Sequence, residues 1–100
     1  MTVHVLRSAH EDILKAARFY EKQEKGLGER VIAFLETEVM KLGETAGIHP
    51  VHRGFYRAVV QGAFPYYLIY YTVDSKGVHV RAILDHRRNP SKIRRRLRDV

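Results

Sequence analysis

Apolar positions along this chain switch period three times, and each switch marks an element. Thr2 to Arg7 alternates, with Val3 and Val5 on one side and His4 on the other, which predicts a short strand. Ser8-Ala9-His10-Glu11 then has the form of a capping box, with Ser8 accepting from the amide of Glu11 and the Glu11 carboxylate reaching back. Ile13, Ala16, Ala17 and Tyr20 follow at helical spacing, with Leu14 and Phe19 widening the apolar stripe and Lys15, Arg18, Glu21 and Lys22 on the wet side. Gly26-Leu27-Gly28 interrupts this helix, and Val31, Phe34, Leu35, Val39 and Leu42 resume the stripe until Gly43 or Gly47 ends it. A connection this short predicts an antiparallel helix hairpin laid on a sheet.

After a loop from Thr45 to Gly54 the chain becomes aromatic and β-branched. Phe55 to Val60, Phe64 to Val73 and Val78 to Leu84 read as three strands of a meander, with Asp74-Ser75-Lys76-Gly77 as a hairpin turn. Nearly every position from Tyr66 to Val73 is large and apolar or aromatic, as expected of a central strand with helices over one face and aromatic or basic side chains on the other. Asn89-Pro90 is a helix start, and Ile93 and Leu97, four apart, could hold a short basic helix against the body. The reading is an α+β fold of order βααβββ, an antiparallel sheet on a helix hairpin with a possible short C-terminal helix, in one domain over residues 1–100.

Composition narrows what this fold can do. Apolar stretches fall far short of the roughly 20 residues that cross a bilayer, and Met1 to Asp12 lacks a signal-peptide apolar region, so a cytoplasmic location without membrane contact is expected. With no cysteine there is no disulfide, thiolate nucleophile or cysteine-based metal centre. The histidines are scattered without a carboxylate at ligand spacing, and there is neither a phosphate-cradling glycine loop nor a serine nucleophile motif, so neither metal nor cofactor is expected. The formal charge of +7 selects an acidic partner: nucleic acid, a ribosomal surface or an acidic protein segment.

Several short motifs sit in this order of elements: Phe19-Tyr20-Glu21 ending the first helix, Gly26-Leu27-Gly28 opening the second, Tyr56-Arg57, Phe64-Pro65-Tyr66, Ile69-Tyr70-Tyr71, and Val80-Arg81-Ala82-Ile83-Leu84 leading to His86-Arg87-Arg88-Asn89-Pro90. Together they resemble the RelE/ParE superfamily of toxins of type II toxin–antitoxin systems, in its ParE-like or plasmid-stabilisation branch, over residues 3 to about 90. The resemblance implies a growth inhibitor neutralised by a cognate antitoxin in an oligomeric complex. It also implies one of two targets, DNA gyrase blocked by binding or the ribosome with its messenger RNA, which RelE-like members cut.

Cleavage beside a 2′-hydroxyl needs a base, an acid and cations around one phosphate. His86 could serve as base or acid, Arg81 and Arg57 as phosphate clamps and Arg87 or Arg88 as further cations, with Tyr66, Tyr67 or Tyr70 stacking on a base. Each has a plainer role open to it: His86 as a strand-end hydrogen bonder, Arg57 stacked on Tyr56 or paired with Glu36 or Glu38, Arg81 as a solvated arginine. The resemblance to RelE-like nucleases is incomplete, because Tyr66-Tyr67-Leu68 stands where they carry an arginine, and Val51 to Tyr56 lacks their lysine pair; Arg53 or His52 could replace a cation. For target binding the candidates are Arg87, Arg88, Arg94, Arg95 and Arg96.

Overall fold

The computed structural model describes all residues from Met1 to Val100. Strand β1 (Val3–Val5) leads into helices α1 (Arg7–Gln23) and α2 (Leu27–Thr45), followed by β2 (Val51–His52), β3 (Phe55–Val59), β4 (Tyr67–Asp74), β5 (Gly77–Asp85) and helix α3 (Pro90–Asp99). The expected βααβββ order and α+β class hold, with two differences in the sheet. Its order is β1-β5-β4-β3-β2, and β1 runs parallel to β5 while the other pairs are antiparallel, so the sheet is mixed. The extra strand, β2, lies in what reads as loop: two residues are too short to show alternation, and only pairing of Val51 with Tyr56 and His52 with Phe55 reveals them.

Gly77 is what lets β1 dock. At φ 125° its absent Cβ would lie 2.2 Å from the Thr2 carbonyl oxygen, which accepts from the Val78 amide at 2.8 Å. The hairpin has an equally specific joint. Glu21, in the last turn of α1, accepts from the amides of Gly26 and Gly28, and these hydrogen bonds hold its carboxyl below the usual glutamate range. A Cβ on Gly28 would meet Glu21 Oε1 at 2.9 Å and the Ala17 carbonyl at 3.0 Å. The two motifs that looked separate in sequence are therefore one interlock.

The expected capping box does not form. Helix α1 already includes Ser8, its cap position is Leu6, and the Ser8 hydroxyl donates instead to the Arg81 carbonyl at 2.9 Å, tying the helix start to β5. Phe19 is 53% exposed rather than part of the buried stripe, because the turn of helix carrying Ala16 and Tyr20 inward carries Phe19 outward. Residues Phe64 to Tyr66 precede β4 instead of opening it; Phe64 is buried against Tyr20 and Phe34, ring edge to ring face.

Both faces of the sheet are apolar, and they are covered differently. The hairpin buries Ile13, Val31, Leu35 and Val39 against Ile69, Tyr71, Val80 and Ile83. On the opposite face Leu68, Tyr70, Ala82 and Leu84 form a smaller cluster sealed by Leu97, with Ile93 and Phe55 at its margin. A register shift at Tyr70/Tyr71 leaves Arg81 as the extra residue of a β-bulge, which explains how Val80 and Ile83, three apart, both face the hairpin.

Candidate functional site

The face carrying α3 also collects most of the chain's cationic chemistry. The turn between β2 and β3 brings Arg53 toward α3, in a left-handed conformation (φ 54°) that no other non-glycine residue here adopts. Arg57 follows on β3, beside Tyr70 in the β4 register, on the face away from the hairpin. Glu36 and Glu38 lie on α2, across the sheet, so of the plainer roles open to Arg57 the pairing with either glutamate does not form. Burial leaves the Arg57 Nε without a hydrogen-bond partner.

A cavity of about 360 Å3 opens here, walled by His52, Arg53, Arg57, His86, Arg88 and Arg94, with Leu68, Tyr70, Pro90 and Ile93 beneath. A neighbouring hollow of about 390 Å3 continues along α3 between Arg53, Arg94, Arg95 and Arg98. No carboxylate lines either one. Burial, then the charges of Arg57 and Arg53, push the His52 imidazole below its usual pKa, so it is neutral near pH 7 and able to accept a proton. His86 lines the same space, and its amide donates to the Tyr66 carbonyl at 2.8 Å.

Other sequence-nominated residues are engaged elsewhere. Arg81 lies on this face but donates from Nε to the Thr72 hydroxyl at 3.1 Å and does not line the cavity with His86 and Arg57. Arg87 donates to Asp85 from Nε (3.0 Å) and Nη2 (2.7 Å) while its guanidinium lies 3.7 Å over the Tyr66 ring. That pair raises the Arg87 pKa and lowers that of Asp85: burial alone would raise the carboxyl, and hydrogen bonds from Arg87 more than offset it. Tyr67, Tyr70 and Tyr71 are buried, which leaves Tyr66 as the exposed ring of that run.

Arg96 is committed inward. Its guanidinium forks onto Asp12 at 2.6 and 3.0 Å, and Asp12 Oδ2 also accepts from the Ile83 amide at 2.9 Å. Asp12 is the chain's one buried charged residue, and it clamps α1, β5 and α3 together. The sequence held a signal for this: Asp12 interrupts the apolar stripe between Ala9 and Ala16, and an acid inside a stripe calls for a cation. Nothing in the sequence chose Arg96 over its neighbours.

The family model for the ParE toxin of the type II toxin–antitoxin system, parDE, matches residues 3–90. This chain belongs to that family of toxins. A search of curated proteins finds no match. Membership implies an antitoxin partner for this toxin-family chain. The match closes at Pro90, where α3 begins, so the basic helix and its arginines lie beyond the matched stretch. No helix is long and apolar enough to cross a membrane.

Proposed function

We propose that this chain inhibits growth in the cytoplasm as a ParE-like toxin, binding DNA gyrase and blocking it rather than carrying out chemistry of its own. The observation that carries this reading is the separation of the nuclease candidates: Arg81 is held by Thr72 outside the cavity that His86 and Arg57 line. A binding surface needs no such convergence, and α3 offers Arg94 and Arg95 exposed beside Arg98. Pulse labelling after induced expression tests it. Thymidine incorporation falling before amino-acid incorporation is expected, together with loss of gyrase supercoiling by the purified chain. Charge reversal at Arg94 and Arg95 should weaken that inhibition, and full inhibition by such a variant removes α3 from the contact.

One observation favours a second reading. His52, kept neutral, and His86 share a cavity with Arg57 and Arg88, a set able to supply a base, an acid and cations to one phosphodiester, as ribosome-dependent messenger RNA cleavage requires. Protein synthesis falling first, with cleavage abolished in His86→Gln, would establish it in place of gyrase binding.

The antitoxin, on this proposal, covers the end of β3 that runs past the two-residue edge strand β2, and the adjoining side of α2. Val59, 58% exposed, and Ile48, 76% exposed, line one hollow there with Lys41 and Thr45 of α2, an apolar margin beside a strand end that an extended segment can meet. Val59→Glu should weaken neutralisation without lowering toxicity.

A further inference from the structure

The two hollows along α3 are one cleft. They share Arg53 and Arg94 as a common wall, and together gather six arginines: Arg53, Arg57, Arg88, Arg94, Arg95 and Arg98. None of the six joins any ion pair in the molecule, whereas the two arginines at the margins, Arg87 and Arg96, each have a carboxylate. Nor does any of the six donate a side-chain hydrogen bond to a protein acceptor; the arginine side chains that do are Arg81, Arg87 and Arg96. Six like charges placed side by side repel, and the fold maintains them there at a cost. Two further features are unexplained by folding: Arg53 is held in a left-handed backbone conformation at the junction of the hollows, and the Arg57 Nε is buried without an acceptor.

We propose that this cleft is a binding site for the phosphodiester backbone of a single nucleic-acid strand, occupied by the isolated chain without help from any protein target. The chemistry points to phosphate rather than carboxylate because guanidinium forks match phosphate oxygens, and a strand supplies them in series. Arg94 and Arg98 are one helical turn apart, about 6 Å along the axis, close to the interval between consecutive phosphates of a strand. The cleft is floored by Leu68, Pro90 and Ile93, an apolar surface suited to a sugar or an unstacked base. This inference goes beyond the gyrase reading and is separable from it: the chain can hold a strand whether or not gyrase is its target.

Fluorescence anisotropy with labelled oligothymidylate of about twelve nucleotides tests it, since single-strand sites span roughly 4 to 16. Four neutralised phosphates give a slope of log affinity against log salt near −2.8, so affinity should fall roughly 50-fold between about 50 and 200 mM salt. Arg94→Gln/Arg98→Gln should lower affinity at least tenfold at the lower salt and flatten the slope by about 1.4. The control Arg18→Gln/Arg30→Gln removes the same charge from exposed positions on the hairpin and should leave both values near wild type. Oligouridylate should bind like the DNA, because the cleft reads phosphates and not the 2′-hydroxyl. Equal losses in the two double variants would overturn the site in favour of diffuse charge. A poly-glutamate peptide binding as tightly as the oligonucleotide would overturn it in favour of an acidic protein segment. Binding confined to RNA would overturn the backbone reading.

Discussion

Replacing Asp12 by alanine should destabilise the fold and free α3 first, and the cost can be worked from its contacts. The carboxylate is about nine-tenths buried and accepts three hydrogen bonds, two from Arg96 and one from the Ile83 amide. Removing it leaves the Ile83 N–H without its acceptor and the guanidinium uncompensated in a half-buried site. Breaking a buried pair from one side costs about 3–5 kcal/mol. Arg96 keeps 28% of its side chain exposed and can turn part of its charge to water, so the lower end, about 3 kcal/mol, applies here. For a chain of this length that corresponds to a melting temperature lower by roughly 12 °C or more. Urea denaturation with hydrogen exchange is the assay. Exchange should rise first in α3, because this ten-residue helix is otherwise held by Leu97, Ile93 and Val100 and is too short to persist undocked. Asp12→Asn keeps an acceptor for the Ile83 amide and should lose about half as much. A loss under ~1 kcal/mol in Asp12→Ala, with α3 amides still protected, would refute the view that this pair pins the helix.

Other perturbations test other joints. Gly28→Ala drives a Cβ against the Ala17 carbonyl and Glu21 and should cost about 1–3 kcal/mol by chemical denaturation; a neutral result would mean the hairpin can open without strain. In Gly77→Ala the new Cβ collides with the Thr2 carbonyl, so β1 should detach and the Val78 amide lose its exchange protection, while β3 and β4 stay protected. Stability should fall with acid in two stages. His49, desolvated beside the Tyr71 hydroxyl, and His52 have folded pKa values below the usual 6.5, so the unfolded chain takes up their protons first and stability is lost as pH drops through and below about 6.5. Glu21, Asp74 and Asp85 are also lowered, by hydrogen bonds to their charged forms, and their contribution, complete above the unfolded carboxylate range, is lost on further acidification. His49→Gln should flatten the upper stage in a denaturation series between about pH 5 and 7, and an unchanged profile would exclude His49.

Local pattern determined most of the architecture. The periodicity of Ile13 to Tyr20 and Val31 to Leu42, the glycine pair at Gly26 and Gly28, and the aromatic density of Tyr67 to Val73 each specify an element from residues near in sequence. The cation-rich tail was legible for the same reason, and so was its start at Asn89, whose side chain accepts from the Ser91 amide. What tertiary structure alone decided are partnerships between residues far apart. Asp12 meets Arg96 across 84 positions, and that separates Arg96 from Arg94 and Arg95, its equals in sequence. The bulge at Arg81 depends on the β4 register and diverts that arginine to Thr72, so its alternation with Val80 and Ala82 could not show where it would end. Arg53 and His52 gain their place beside His86 and Arg94 only because a two-residue strand folds back on β3 and faces the terminal helix. Periodicity records which face of an element is apolar; it carries no information about which distant charge will be set against that face, and in this protein those distant pairings sort six free arginines from the committed ones.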